Sequence, residues 1–313
     1  MEREWPLVSI AMPCYNRGSN LEKFIANIRK QSYPQDKIEI VLADFYSEDN
    51  TYEVAQKTLA LKNCSGEYIF IADDDNFFVN PDLIKNMVTV IEDEDASAVE
   101  CVWEYYDKKD YATNRYCSLF GTTDPTTYYL RMQDHMPVVN KTWTLNGTVV
   151  KETPEYFKVK MKPEEIPTMG DQGFLCRKKD ILKAEKDGII LHMDICSILA
   201  REGKDEFIFL KDYFGHNHVK NIKQLMKKLK RNIDRYNEDG KERAMNYDMN
   251  AMKMVKLGLT MGTFVIPLKD AIVGFSKMRD AAWFLHPIIC FRVALCYTIS
   301  TLKGMARRKN EAQ

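Results

Sequence analysis

The chain has 313 residues, 45% of them apolar, with 45 basic and 45 acidic side chains. That is length enough for one large domain and a smaller one. A formal net charge of zero excludes whole-chain attraction to nucleic acid, and 14 glycines with 11 prolines exclude a collagen-like or low-complexity chain.

Eight cysteines run from Cys14 to Cys296 without a CxxC pair. They read as thiols in a reducing compartment, not as a disulfide framework or a zinc site. The segment MEREWPLVSIAMPCYNR carries acids where a signal peptide needs bases, and its apolar run is short. The expected location is cytoplasmic, peripheral to the inner face of a membrane.

In chain order, Leu7 to Pro13 is a short β-rich run ending in a turn signal. Asn20 to Gln31 places Leu21, Phe24, Ile25 and Ile28 at helical spacing. IEIVLADF is a second strand, Thr51 to Leu61 a second helix, and YIFIADDD a third strand ending in acid. Strands alternating with helices over short connections predict parallel pairing. Ligands then lie beyond the carboxyl ends of the strands, where Pro13 to Arg17, Asp44 to Asp49 and Asp73 to Asn76 converge.

Asp82 to Ile91 reads as a helix after Asn80-Pro81, and Val99 to Tyr106 as a strand. Residues 107–160 are aromatic and polar with no period. Order resumes from Gly170 to Lys186, with a helix at Leu191 to Arg201 and a short strand at Phe207 to Leu210. We divide the chain into a catalytic domain over 1–219 and a helical region over 220–313. Lys220 to Arg231 holds six basic residues and no acid, and Ile222, Leu225, Met226, Leu229 and Ile233 form an apolar stripe. Two apolar stretches follow, Met254 to Leu268 and Ala281 to Leu302. The second has the length of a bilayer span, but His286-Pro287 and Arg292 interrupt it. The expected arrangement is a segment lying on one leaflet, with a single span as the alternative.

Asp73, Asp74 and Asp75 repel one another unless a cation compensates. Mg²⁺ or Mn²⁺ suits such oxygen donors and also holds a diphosphate. The other reading is a solvated acidic turn; placement at the end of an apolar strand, in one crevice with Asp44, favours the cation. His216 and His218 are two apart and would share one side of a strand. Trp103, Trp143, Tyr105, Tyr106, Tyr128 and Tyr129 suit sugar stacking or core packing.

VSIAMPCYNR, IEIVLADFYSEDNT and SGEYIFIADDDNFFVNPDLI together resemble the nucleotide-binding half of inverting glycosyltransferase family 2, with its GT-A fold. MGDQGFLCRKKDIL, LHMDICSILAREGKDEFIF and YFGHNH resemble the acceptor half, so the likeness covers roughly residues 6–220. It implies an α/β, Rossmann-like, mostly parallel sheet flanked by helices, followed by the helical, membrane-associated extension. It implies Pro13, Tyr15, Asn16, Asp44, Asp73, Asp74 and Gly173 at a UDP- or GDP-linked sugar donor, with Tyr15 against the base. Asp73 and Asp75 match the DxD motif, and Asp75 and Asp73, with His216, would face the metal. Asp194 matches the catalytic base, with Asp171 in reserve.

Three departures stand out. Asp44 is followed by Phe45 where the family often has a second acid. The basic stretch before the third strand is reduced to Lys57 and Lys62. Met193 precedes Asp194 where glutamate is usual.

Inversion needs one base and no covalent intermediate. A carboxylate deprotonates the acceptor hydroxyl while a divalent cation stabilises the leaving diphosphate. The residue type also suits Asp194 to a second role, the N-cap of the helix beginning there. The acceptor is expected to be a glycan or lipid-linked hydroxyl at the cytosolic membrane face. Polyprenyl phosphate is the alternative, which would need no base. A nucleotidyltransferase fits poorly, since PCYNRGSN is not its Gly-rich basic loop. A non-catalytic nucleotide-sugar-binding scaffold would not require Asp73, Asp75 and Asp194. No sequence feature sets an oligomeric state.

Overall fold

The computed structural model describes residues 3–14, 18–44, 59–73, 75–133, 135–170, 173–186, 189–190, 192–239 and 251–311. The chain separates into two compact units, one of residues 1–105 and 143–217, the other of 106–142 and 218–313. The aperiodic stretch 106–142 thus groups with the C-terminal helices.

The first unit is built on strands β1 (Val8–Cys14), β2 (Ile38–Asp44), β3 (Tyr68–Ile71), β4 (Asn76–Phe78), β5 (Ala98–Glu104), β6 (Thr148–Glu152), β7 (Tyr156–Lys160) and β8 (Phe174–Arg177). The short strands β9 (Glu185–Lys186) and β10 (Ile189–Ile190) pair apart from them, and the long β11 (Glu206–His216) completes the main sheet. Its order is β2-β1-β3-β8-β5-β11-β7-β6, with β4 also on β11. Strand β1 lies between β2 and β3, parallel to both, as strand–helix alternation predicts. Among the described residues, six of the nine strands share one direction; β4, β7 and β8 run against it. The expected mostly parallel sheet therefore holds by strand direction, with reversed strands set into it.

Burial on both faces explains why β1 reads as a nearly continuous apolar run. Val8, Ile10 and Met12 are wholly buried on one face, and Ser9 and Ala11 are buried on the other. The helix Gly18–Ile28 covers one face through Phe24 and Ile28. The helix Leu83–Asp93 packs Leu83, Ile84, Met87 and Val88 into the same core. Gly66 enters β3 where no side chain fits: a Cβ would lie 2.5 Å from Ser9 Oγ and 2.7 Å from the Leu7 carbonyl. Its N–H instead donates to Ser9 Oγ at 2.7 Å, joining two strand starts.

Of the expected Thr51 to Leu61 helix, residues 51–58 lie outside the described ones, and Leu59 to Asn63 are helical. Two strands depart from expectation. The β6–β7 hairpin has no apolar alternation on its outer strand, because β6 is an exposed edge. Strand β11 runs on past Leu210 to His216; its register against β5 shifts between Leu210 and Tyr213, which breaks the period the sequence would need to show it.

The second unit is helical. Ala112–Phe120 and Pro125–Leu130 pack with Ile222–Asp239, Ala251–Gly262, Val265–Lys277 and His286–Glu311. Gly121 ends the first of these at φ 68°, in the left-handed cap that glycine favours. Phe120 is its hub, ringed by Tyr116, Tyr128, Trp283 and His286 at centroid distances of 3.9 to 5.2 Å. The basic helix turns its stripe inward, with Leu225, Leu229 and Ile233 buried in this core.

His286-Pro287 proves not to be an interruption. Pro287 lies in the first turn of His286–Glu311, where an N–H has no helical partner to lose. The segment Ala281–Ser300 is long and apolar enough to cross a membrane, and less than half of it is buried within the chain. Met252–Gly262 and Val265–Lys277 meet at a bend of 61°.

Candidate active site

Backbone register assembles the site. Pairing Cys14 with Asp44 brings the ends of β1 and β2 level, and pairing Ala11 with Ile71 ends β3 beside them. The Ala72 N–H donates to the Ala11 carbonyl at 3.2 Å, so Asp73 leaves the sheet at the same carboxyl edge as Pro13. A shallow hollow there is lined by Ala11, Pro13, Ala60, Leu61, Ile71 and His192. It joins the β1 and β3 ends to the turn that carries Asp194.

Asn76 shapes the acidic turn. The Asp73 N–H donates to Asn76 Oδ1 at 2.7 Å, the Asn76 N–H donates to the Asp73 carbonyl at 3.1 Å, and Asn76 Nδ2 reaches Asp75 Oδ1 at 3.4 Å. Beneath it Phe70, Phe78 and Phe214 pack ring to ring at 5.1 to 5.6 Å. Each such pair contributes about 0.5–1.5 kcal/mol beyond its burial. Asn76 thus ties Asp73 and Asp75 together above an aromatic floor.

The far end of β11 supplies the histidine. Antiparallel pairing sets His216 opposite Asn76 and Phe214 opposite Phe78. His216 Nε2 lies 3.2 Å from Asp75 Oδ1, and the Asn217 N–H donates to the Asp75 carbonyl at 2.8 Å. Two ligands at about 2.1 Å on one octahedral ion stand about 3 Å apart, so this pair has the spacing of neighbouring ligands. Glu104 enters from β5, where it pairs with Phe214, and its carboxylate comes within 4.8 Å of a His216 ring nitrogen. Sequence reading missed Glu104. Its one signal was an acid at the end of a strand, the pattern that exposed Asp44 and Asp73. Hard oxygens with one imidazole suit Mg²⁺ or Mn²⁺.

Asp194 is 2% exposed and sits at the N-cap of Ile195–Arg201, yet its side chain makes no capping hydrogen bond. Tyr15, Asn16, Asp74 and Asp171 lie outside the described residues, as does the Asp44 side chain.

Residues 9–60 match the model of glycosyl transferase family 2. Glycosyltransferase GlyG of Streptococcus pneumoniae is 28% identical over 127 residues, covering 33% of this chain and 41% of that protein. TarS of Staphylococcus aureus, a poly(ribitol-phosphate) β-N-acetylglucosaminyltransferase, is 21% identical over 63% of this chain and 36% of its own. The chain is thus similar to glycosyltransferases, and its residues 9–60 to glycosyl transferase family 2. It spans less than half the length of these two relatives.

The fold is GT-A-like. The mannosyltransferase PcManGT of Pyrobaculum calidifontis, solved with GDP-mannose and Mn²⁺, superposes with a TM-score of 0.52 at 14% identity, over 96% of this chain and 88% of that one.

Within this fold, Gly173 has a packing reason to be glycine. Its φ is +62°, and a Cβ would stand 2.6 Å from the Phe214 ring. The residue that floors the acidic turn also fills the space a side chain would need. His218 is buried and opens the C-terminal segment of the second unit.

Proposed function

We propose that the first unit transfers a sugar, with inversion, from a UDP- or GDP-linked donor to a hydroxyl acceptor. The observation that carries this is the Asp75–His216 pair, held by Asn76 and β11 at the carboxyl edge of parallel strands. Pro13, Tyr15, Asn16 and Asp44 serve the nucleoside, and Asp73, Asp74 and Gly173 border the diphosphate-sugar. Asp75, Asp73 and His216 would hold Mg²⁺ or Mn²⁺, which supplies Lewis-acid stabilisation of the departing diphosphate. The Asp194 carboxylate accepts the acceptor's hydroxyl proton as that oxygen bonds the anomeric carbon and the sugar–diphosphate bond breaks. Asp171 is the reserve base.

A carboxylate placed as a general base favours a hydroxyl acceptor over polyprenyl phosphate, which arrives ionised. The apolar C-terminal helices support an acceptor that is lipid-linked or displayed at the cytosolic membrane face. The pathway is glycan or cell-envelope polysaccharide synthesis.

The test is a thermal-shift panel of UDP- and GDP-sugars with and without Mg²⁺ or Mn²⁺. A ligand bound only by the folded state at 100 times its Kd adds about 2.7 kcal/mol of stability. One donor should raise Tm only with metal, and Asp75→Asn should abolish that rise. A metal-independent rise, equal in both proteins, would remove the metal role; no rise with any donor would remove the transferase reading.

A further inference from the structure

We propose that the second unit docks in the plane of an anionic lipid leaflet through the helix–bend–helix of residues 251–277 and the outer stripe of the C-terminal helix. This deepens the membrane-side reading above but rests on the second unit alone. Among the described residues, fifteen of the twenty-one large apolar side chains that are exposed fall between Met252 and Ile299. A monomer rarely leaves so large a contiguous apolar surface without a partner for it.

The arrangement is periodic. On Ala251–Gly262, Met252, Val255 and Leu259 form one stripe, exposed by 82%, 63% and 62%. On His286–Glu311, Ile289, Cys290 and Val293 are buried in the unit core, while Ile288, Phe291 and Leu295 are exposed on the other side. That helix is apolar on two faces, and only one is covered by the chain. Phe264, at the bend with φ +63°, stacks on Phe291 at 5.1 Å and joins the two stripes into one surface.

Charge selects the occupant. Residues 251–300 hold six basic side chains, Lys253, Lys256, Lys269, Lys277, Arg279 and Arg292, all exposed. They hold two acids, and both are engaged by the unit itself. Asp270 accepts from the Tyr129 hydroxyl at 3.0 Å. Asp280 takes Arg115 Nε at 2.8 Å and the Tyr106 hydroxyl at 2.5 Å. A second copy would set cation against cation, whereas an anionic leaflet satisfies the apolar stripe and the basic flank together.

Length selects the mode. The two bent helices have 12 and 13 residues. At 1.5 Å per residue each is about 18–20 Å long, short of the ~30 Å hydrocarbon core. The C-terminal helix cannot surround itself with lipid while one face is buried in the unit.

The test is flotation of the purified full chain with vesicles of phosphatidylcholine alone or with 30% phosphatidylglycerol, without nucleotide. Binding should be at least tenfold tighter on the anionic vesicles and should fall at least tenfold in Val255→Asp/Leu259→Asp. Both sites are exposed, so the variant should keep the wild-type circular-dichroism melt. Phe264→Trp fluorescence should be quenched by brominated lipid, and carbonate at alkaline pH should release the bound chain. Absence of flotation on anionic vesicles, a dimer in sedimentation equilibrium that the double substitution dissociates, or retention through carbonate would each overturn the proposal. Asp194→Asn should float like wild type, so loss of transfer and loss of docking are read separately.

Discussion

The two units each bury a histidine, and the neighbours make them different instruments. His216 stands 3.2 Å from the Asp75 carboxylate at the open edge of a sheet, with Glu104 close by. His286 is wholly buried between phenols, with Tyr116 Oη 3.0 Å from Nδ1 and Tyr129 Oη 3.1 Å from Nε2. Because the Tyr129 hydroxyl donates to Asp270, it accepts from His286 Nε2–H, and Nδ1 accepts from Tyr116. That pattern needs a neutral ring, and burial pushes its pKa down to about 3. In the first unit polar groups converge at the carboxyl edge of the sheet. In the second they close on one another and leave apolar surface facing out.

If this contrast is right, substitutions in the first unit change turnover and those in the second change stability. The largest expected effect is Asp194→Asn. Loss of a general base should lower the transfer rate constant by about 10²–10⁴, with the donor-induced thermal shift kept. Equal loss of donor binding would make Asp194 a binding residue and blur the contrast.

Phe120→Ala comes next. It removes the hub of the helical core and should cost about 3–5 kcal/mol in denaturant unfolding, while donor titrations at low temperature stay unchanged. Coincident loss of donor binding would show the site to depend on the second unit's core.

Arg115→Met is smaller. Burial pushes the Asp280 carboxyl up, but the Tyr106 hydroxyl, the Ala282 N–H and the Arg115 guanidinium outweigh it and hold it below the usual carboxylate range. A depressed carboxylate stabilises above its unfolded pKa, and that stability is lost as pH falls through the folded value. Without Arg115 the cost should be about 1–3 kcal/mol at neutral pH. Asp280 should also titrate higher, moving the acid limb of the Tm–pH curve upward.

The gentlest test concerns His286. Below pH about 6.5 the unfolded chain takes up a proton that the folded ring refuses. Stability should therefore fall toward pH 4, with a limiting slope of about 1.4 kcal/mol per pH unit for this group. His286→Gln should flatten Tm between pH 6.5 and 4, whatever its own stability. An unchanged slope would mean that other groups carry the acid response.

Much was legible in the residues. Apolar runs wrote β1, β2 and β3 into the chain, and parallel pairing follows from their helical connections. Acids ending apolar strands marked the edge where Asp44 and Asp73 lie. Those are local patterns, and local physics favours them: buried strand positions prefer apolar side chains, and a carboxylate is most easily accommodated where a strand ends. Tertiary structure alone decided the rest. The register shift in β11 hid the strand that carries His216 to Asp75, and Glu104 meets that histidine only because β5 and β11 are neighbours. The basic helix and the His286-Pro287 segment read alike as surface features, yet one turns its stripe inward and the other starts a helix apolar on two faces. Periodicity says that a helix has an apolar side; only packing says which apolar side the chain covers itself and which it leaves for another surface.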